Sequence, residues 1–136
     1  VMLEHAHEYF EMKQLKESPW MSFAIQAKEK AYKEIPSLVH ADGTCRIQTV
    51  TREQNKNYYE LIERFYEITG CPMIFNTSFN LGGEALVETI EDAINTCQQS
   101  QINYLYIPED QNFNIPYSMI KPKDPKIFLD GEESED

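Results

Sequence analysis

The chain has 136 residues and a formal net charge of −11, enough for one domain with a sizeable core. The acidic balance argues against duplex nucleic acid or an anionic membrane as the main partner. Five carboxylates fall in the final DGEESED run, so the body is only mildly acidic and keeps room for a local basic pocket.

No apolar run approaches the length of a membrane span, and no signal peptide is expected. Cys45, Cys71 and Cys97 are odd in number, widely spaced and free of any CxxC pairing. They predict a reduced, cytoplasmic protein with small buried thiols. His5 and His7 stand at i, i+2, which on a helix point to different faces, so no metal pair is expected there.

In chain order, Leu3, Ala6 and Phe10 predict a helix over 3–12, followed by polar linkage over 13–18. The apolar, aromatic run 20–27 predicts a largely buried strand. A short helical turn over 28–32 is stopped by Pro36. Asp42-Gly43 is a hairpin signal between two β-prone runs. In the second of these, Thr44, Arg46 and Gln48 share one face, while Cys45, Ile47 and Thr49 share the other. Three polar groups on one face mean either a solvated edge strand or a site, and a planar, permanently charged guanidinium suits phosphate.

Thr51 and Gln54 form a capping box for a helix reaching about Thr69. Tyr58, Leu61, Ile62, Phe65 and Ile68 form its expected core stripe, and Gly70 closes it. The run 72–75 reads as a buried strand that breaks into Asn76-Thr77-Ser78-Phe79-Asn80-Leu81-Gly82-Gly83-Glu84. Such a loop suits phosphate or carbonyl oxygens. It also reads as a polar turn whose side chains satisfy their own backbone. A helix then starts at Thr89 or Glu91 and runs to about Ser100, and 103–107 is a final strand. Residues 108–136, with four prolines, read as an irregular arm with a disordered acidic end.

The order of the motifs resembles the C-terminal part of the NodU/CmcH carbamoyltransferases. The likeness rests on His40-Ala41-Asp42-Gly43-Thr44-x-Arg46-x-Gln48-Thr49-Val50, the long helix, Asn76-Thr77-Ser78-Phe79-Asn80-x-x-Gly83-Glu84, and Glu17-Ser18-Pro19-Trp20-Met21. It covers roughly 3–107, and that part of the family is similar to the YrdC-like fold of threonylcarbamoyl-adenylate synthases.

The resemblance implies an α/β, YrdC-like mixed sheet (20–26, 44–49, 72–76 and 103–107) with packed helices, forming an incomplete domain over 1–107. It further implies binding of ATP, with Mg2+, and of carbamoyl phosphate to form a carbamoyl-adenylate, with transfer to an acceptor hydroxyl by a separate N-terminal domain. Arg46, Ser78 and Asn80 take the catalytic positions, converging on one pocket. Thr44, Gln48, Asn76, Thr77, Ser78 and Asn80 line the nucleotide and carbamoyl site.

The basic Lys-x-Arg element of the YrdC fold has no counterpart here, and neither does the N-terminal transferase domain. The expectation is therefore a piece of a larger enzyme, inactive alone, with the rest of its parent as partner and a homo-oligomer left open. An apolar patch should mark the missing surface. The rival from another class is a binding or assembly module that kept the fold without the chemistry.

Overall fold

A computed structural model describes residues 1–100, 102–107 and 126–129. They form two compact units, Val1–Asn76 and Thr77–Asp136, each of mixed α/β character.

The first unit runs α1 (Leu3–Tyr9), β1 (Ala24–Gln26), α2 (Glu29–Glu34), a 3-10 turn (Pro36–Leu38), β2 (Thr44–Arg46) and α3 (Lys56–Thr69). β1 and β2 are antiparallel, pairing Ala24 with Arg46, Ile25 with Cys45 and Gln26 with Thr44. The Asp42-Gly43 turn forms, with Gly43 at φ 79°, but it follows the 3-10 turn rather than a strand. β2 pairs back to β1 instead, so the expected two-strand hairpin is corrected to a longer connection. Gly43 is required here: a Cβ would stand 2.5 Å from the Tyr32 hydroxyl and 2.6 Å from Gln26 Nε2.

The expected strand over 20–27 is cut to three residues, and its aromatic start is not buried: Trp20 is 81% exposed. Two fixed pairings explain this. Ala24 sits opposite Arg46, while Ser18 exchanges bonds with Thr49, its N–H donating to Thr49 Oγ1 at 2.8 Å and its carbonyl accepting from Thr49 N–H at 2.9 Å. Residues 19–23 therefore oppose only 47 and 48, and the excess chain bulges outward.

Beyond β2, the backbone 47–50 continues into single ladder bonds. Leu3 N–H donates to Val50 O at 3.0 Å and Met2 N–H to Pro72 O at 3.1 Å. The run 72–76 is not a strand, and Pro72 brings no N–H to a ladder. The single mixed sheet expected from the sequence thus appears, among the described residues, as separate two-stranded sheets.

Two apolar clusters fill the unit. Tyr9, Phe10, Ile25, Ala31, Cys45 and Met73 belong to the larger, and Met2, Val50, Tyr59 and Ile62 to the smaller. The Thr51–Gln54 capping box forms reciprocally at 3.0 and 3.2 Å, but it closes a turn. Asn55 caps α3 itself, accepting from Tyr58 N–H. Gly70 ends the helix at φ 74° as expected. The expected core stripe of α3 is corrected: Ile62 is fully buried beside Tyr59, while Leu61, Phe65 and Ile68 are 53%, 40% and 84% exposed. The apolar positions of the helix exceed what its neighbours cover.

In the second unit, α4 (Ile90–Ser100) is followed by β3 (Tyr104–Ile107), which pairs in parallel with β4 (Lys126–Leu129). Thr89 caps α4 through Asp92, with Thr89 Oγ1 accepting from Asp92 N–H at 3.1 Å and Asp92 Oδ2 accepting from Thr89 N–H at 3.1 Å. Ala93, Ile94, Cys97 and Leu105 form its core. Within the arm expected from 108 onward, β4 is a strand; the remainder of that arm lies outside the described residues.

α1 and α2 are clasped by polar groups. Glu8 Oε2 accepts from Lys30 Nζ at 2.6 Å and Glu8 Oε1 meets His5 Nδ1 at 2.6 Å. The buried Tyr9 donates its hydroxyl to Glu34 at 2.6 Å under Lys30. The hydrogen bond from Lys30, then that from His5, hold the Glu8 carboxyl down at about 2 from its ordinary 4.5.

Two predictions follow from this packing and this clasp. Ile62→Ala should lower stability by about 2–5 kcal/mol, whereas Ile68→Asp should change it by no more than about 0.5 kcal/mol; urea denaturation midpoints measure both. Because the folded carboxyl of Glu8 titrates below the unfolded one, its contribution is fully present above about pH 4.5 and is lost as pH falls towards 2. Glu8→Gln should thus be less stable than wild type at pH 6, with the two denaturation midpoints meeting near pH 2.

Candidate cleft around Arg46

The alternation in 44–49 places the candidate side chains. Cys45, Ile47 and Thr49 are buried, Arg46 is exposed and Thr44 and Gln48 are half-buried, so the two faces divide as the sequence indicates. Against the polar face lies the bulge 19–23. Its Met21 adopts the left-handed conformation at φ 53°, uncommon for a residue with a side chain.

That turn aims the Met21 carbonyl at Arg46, whose Nε and Nη2 donate to it at 3.4 and 3.2 Å. Gln48 Nε2 donates to Pro19 O at 2.9 Å, and Gln48 Oε1 accepts from Asn76 Nδ2 at 2.9 Å. Asn76 Nδ2 also meets Met21 Sδ at 3.6 Å. Arg46, Gln48 and Asn76 are therefore one connected group. Thr44 stands two residues before Arg46 on the same face, and its hydroxyl donates to Asp42 Oδ1 at 2.7 Å.

These residues border a cleft of about 310 Å³. Arg46, Gln48, Asn76 and His40 supply its polar edge, and Met21, Tyr58 and Phe75 are among its apolar walls. Few polar groups on an apolar concavity is the usual make-up of a small-ligand site.

Charge distinguishes Arg46. Of the three arginines, Arg52 binds Glu60 and Glu63, and Arg64 binds Glu67. Among the described residues Arg46 has no carboxylate partner, and its Nη1 makes no hydrogen bond. A guanidinium left without an acid in a chain of net charge −11 keeps donors for an anion. Cys45 also borders the cleft, but burial, and then the nearby Asp42, push its thiol pKa up, the reverse of an activated nucleophile. Among the described residues no cluster of His, Cys, Asp or Glu fits a metal ion.

Thr77, Ser78 and Asn80 belong to the second unit. Thr77 and Ser78 are exposed. Asn80 turns inward to its own loop, its Nδ2 donating to Leu81 O at 2.9 Å and to Glu84 O at 3.2 Å. Backbone bonds from Glu84 to Leu81 and from Val87 to Phe79 complete the turn, and Gly83 sits at φ 85°. Asn80 thus follows the self-satisfying reading that the sequence offered, whereas no such bond ties Thr77 or Ser78 among the described residues. Asn80 Oδ1 is buried without a hydrogen-bond partner among the described residues.

Sequence reasoning missed the carbonyls of Pro19 and Met21 as parts of the cleft, because backbone acceptors leave no residue-type signal. It also passed over His40 and Phe75, which the Asp42-Gly43 turn and the 72–76 run place there.

The family described as Carbamoyltransferase C-terminus matches residues 1–111. The chain is 36% identical over 108 residues to nodulation protein NolNO of Sinorhizobium fredii (strain NBRC 101917 / NGR234), covering 79% of this chain and 16% of that protein. It is 34% identical over 105 residues to nodulation protein NolO of Bradyrhizobium diazoefficiens, covering 76% and 19%. To the uncharacterized protein MJ1058 of Methanocaldococcus jannaschii it is 42% identical over 87 residues, covering 64% and 14%. The chain thus spans less than a fifth of the length of these relatives. By the extent of the family match, this chain belongs to the carbamoyltransferase C-terminus family.

Proposed function

We propose that this chain is the activating part of a carbamoyl-transfer enzyme, binding ATP and carbamoyl phosphate so that a carbamoyl-adenylate forms for delivery to an acceptor hydroxyl elsewhere in a longer parent protein. The observation that carries the reading is Arg46. Among the described residues it is the arginine without a carboxylate, it borders the cleft, and it is joined to Gln48 and Asn76.

The chemistry asks little of protein nucleophiles. Carbamoyl phosphate supplies the carbamoyl group, its phosphate leaving to water as orthophosphate. A carbamate oxygen then attacks the α-phosphorus of ATP, the bond to the bridging oxygen of the β-phosphate breaks, and pyrophosphate departs. Positioning and charge neutralisation account for most catalysis at phosphorus. In this reading Arg46 offsets the developing negative charge. The amides of Gln48 and Asn76 hold neutral oxygens, and Thr44 shapes the rim. In the second unit the Ser78 hydroxyl serves as a neutral donor to phosphate oxygen, with Thr77 beside it and Asn80 holding the loop. Mg2+ would accompany ATP as part of the co-substrate and help offset its phosphate charge.

Carbamoyl-phosphate-dependent release of pyrophosphate from ATP, assayed in the longer parent protein, tests this. Arg46→Ala should lose about 1.5–3 kcal/mol of nucleotide or transition-state binding, the range of a charged hydrogen bond, and Ser78→Ala about 0.5–1.5 kcal/mol. Denaturation midpoints should stay within about 0.5 kcal/mol of wild type. Wild-type turnover in Arg46→Ala removes the assignment. An absence of ATP binding in the parent points to an assembly module without chemistry.

A further inference from the structure

We infer that Met21 is a positioning residue for Arg46, acting through its backbone rather than its side chain. The inference rests on the reading of Arg46 as an anion ligand and assigns a cause to its orientation.

A guanidinium at the end of an exposed, flexible stem has many rotamers, and each one lost on ligand binding weakens affinity. Arg46 is restrained before any ligand arrives. Its Nε and Nη2 form the side-on fork, and both donate to the Met21 carbonyl. With that edge occupied, Nη1 and the outer Nη2 proton remain for an anion. Gln48, which borders the same cleft, is tied to the same bulge through Pro19 O.

The carbonyl reaches Arg46 because residue 21 is left-handed, at φ 53°. The bulge has fixed ends, at the buried Ser18–Thr49 pair and at Ala24 opposite Arg46. An L-residue in this region costs free energy that an extended one does not. The strained conformation is held where it aims an acceptor at the cation of the cleft.

If this is so, anion affinity should follow the left-handed tolerance of residue 21 and not its bulk or polarity. The probe is inorganic pyrophosphate, titrated calorimetrically into this chain, with melting midpoints as the check on folding. Met21→Gly and Met21→Leu should bind within about threefold of wild type. Met21→Val, β-branched and a genuine outlier at positive φ, should bind about tenfold more weakly. In an Arg46→Lys background, which keeps a point cation without the fork, Met21→Val should cause no further loss. Should Met21→Val fail to fold, Met21→Ala replaces it: with the same side-chain truncation as Met21→Gly but a disfavoured left-handed backbone, it should bind more weakly than Met21→Gly.

Equal affinity of the Val, Gly and Leu variants, or of Ala and Gly, overturns the positioning role. So does a Val effect that persists in Arg46→Lys. In either case weaker binding by Arg46→Ala leaves the anion site itself standing. Pyrophosphate binding that is absent, or equal in wild type and Arg46→Ala, removes both.

Discussion

The buried exchange between Ser18 and Thr49 is the constraint on which the first unit depends. Ser18 is 1% and Thr49 2% exposed, and the pair is closed by bonds in both directions, with Ser18 Oγ donating further to Ile47 O at 3.2 Å. Buried polar groups must be satisfied, so these bonds fix one pairing of the two segments. Together with the Ala24–Arg46 pairing they leave five residues, 19–23, where two would suffice. The surplus has to leave the sheet, and it leaves on the side where Arg46, Gln48 and Asn76 stand.

That bulge makes a cleft from what would otherwise be a solvated strand face. A three-residue strand with one arginine is not a site by itself. The site character comes from carbonyls at Pro19 and Met21 that hold two long side chains in place, and from Tyr58 and Phe75, which give the cleft apolar walls. The electrostatic contrast reinforces it. In an acidic chain, carboxylates meet Arg52, Arg64 and the Lys30 of the α1–α2 clasp, yet among the described residues none meets Arg46.

The loop after Asn76 shows a different division of labour. Asn80 satisfies carbonyls of its own turn, which rigidifies the loop, while Thr77 and Ser78 stay exposed. A side chain that organises a loop and a side chain that offers a donor are distinct duties, and the sequence motif lists both residue types without saying which does which.

The sequence by itself determined the local rules: the in-and-out alternation of 44–49, the Gly70 helix stop, the start of α4 at Thr89 or Glu91, the Asp42-Gly43 turn, and the family through its combined motifs. Each depends on neighbours a few residues apart, where periodicity, capping and φ preference act. Tertiary structure alone decided which part of the apolar stripe on α3 is covered, that Trp20 lies outside, and that β2 returns to β1. It also decided that Met21 takes a backbone conformation its residue type disfavours. The physical reason is shared: burial of a stripe, the length of a bulge and the sign of a φ are set by which distant segments pair, and Ser18 meeting Thr49 across 31 positions has no signature in either residue.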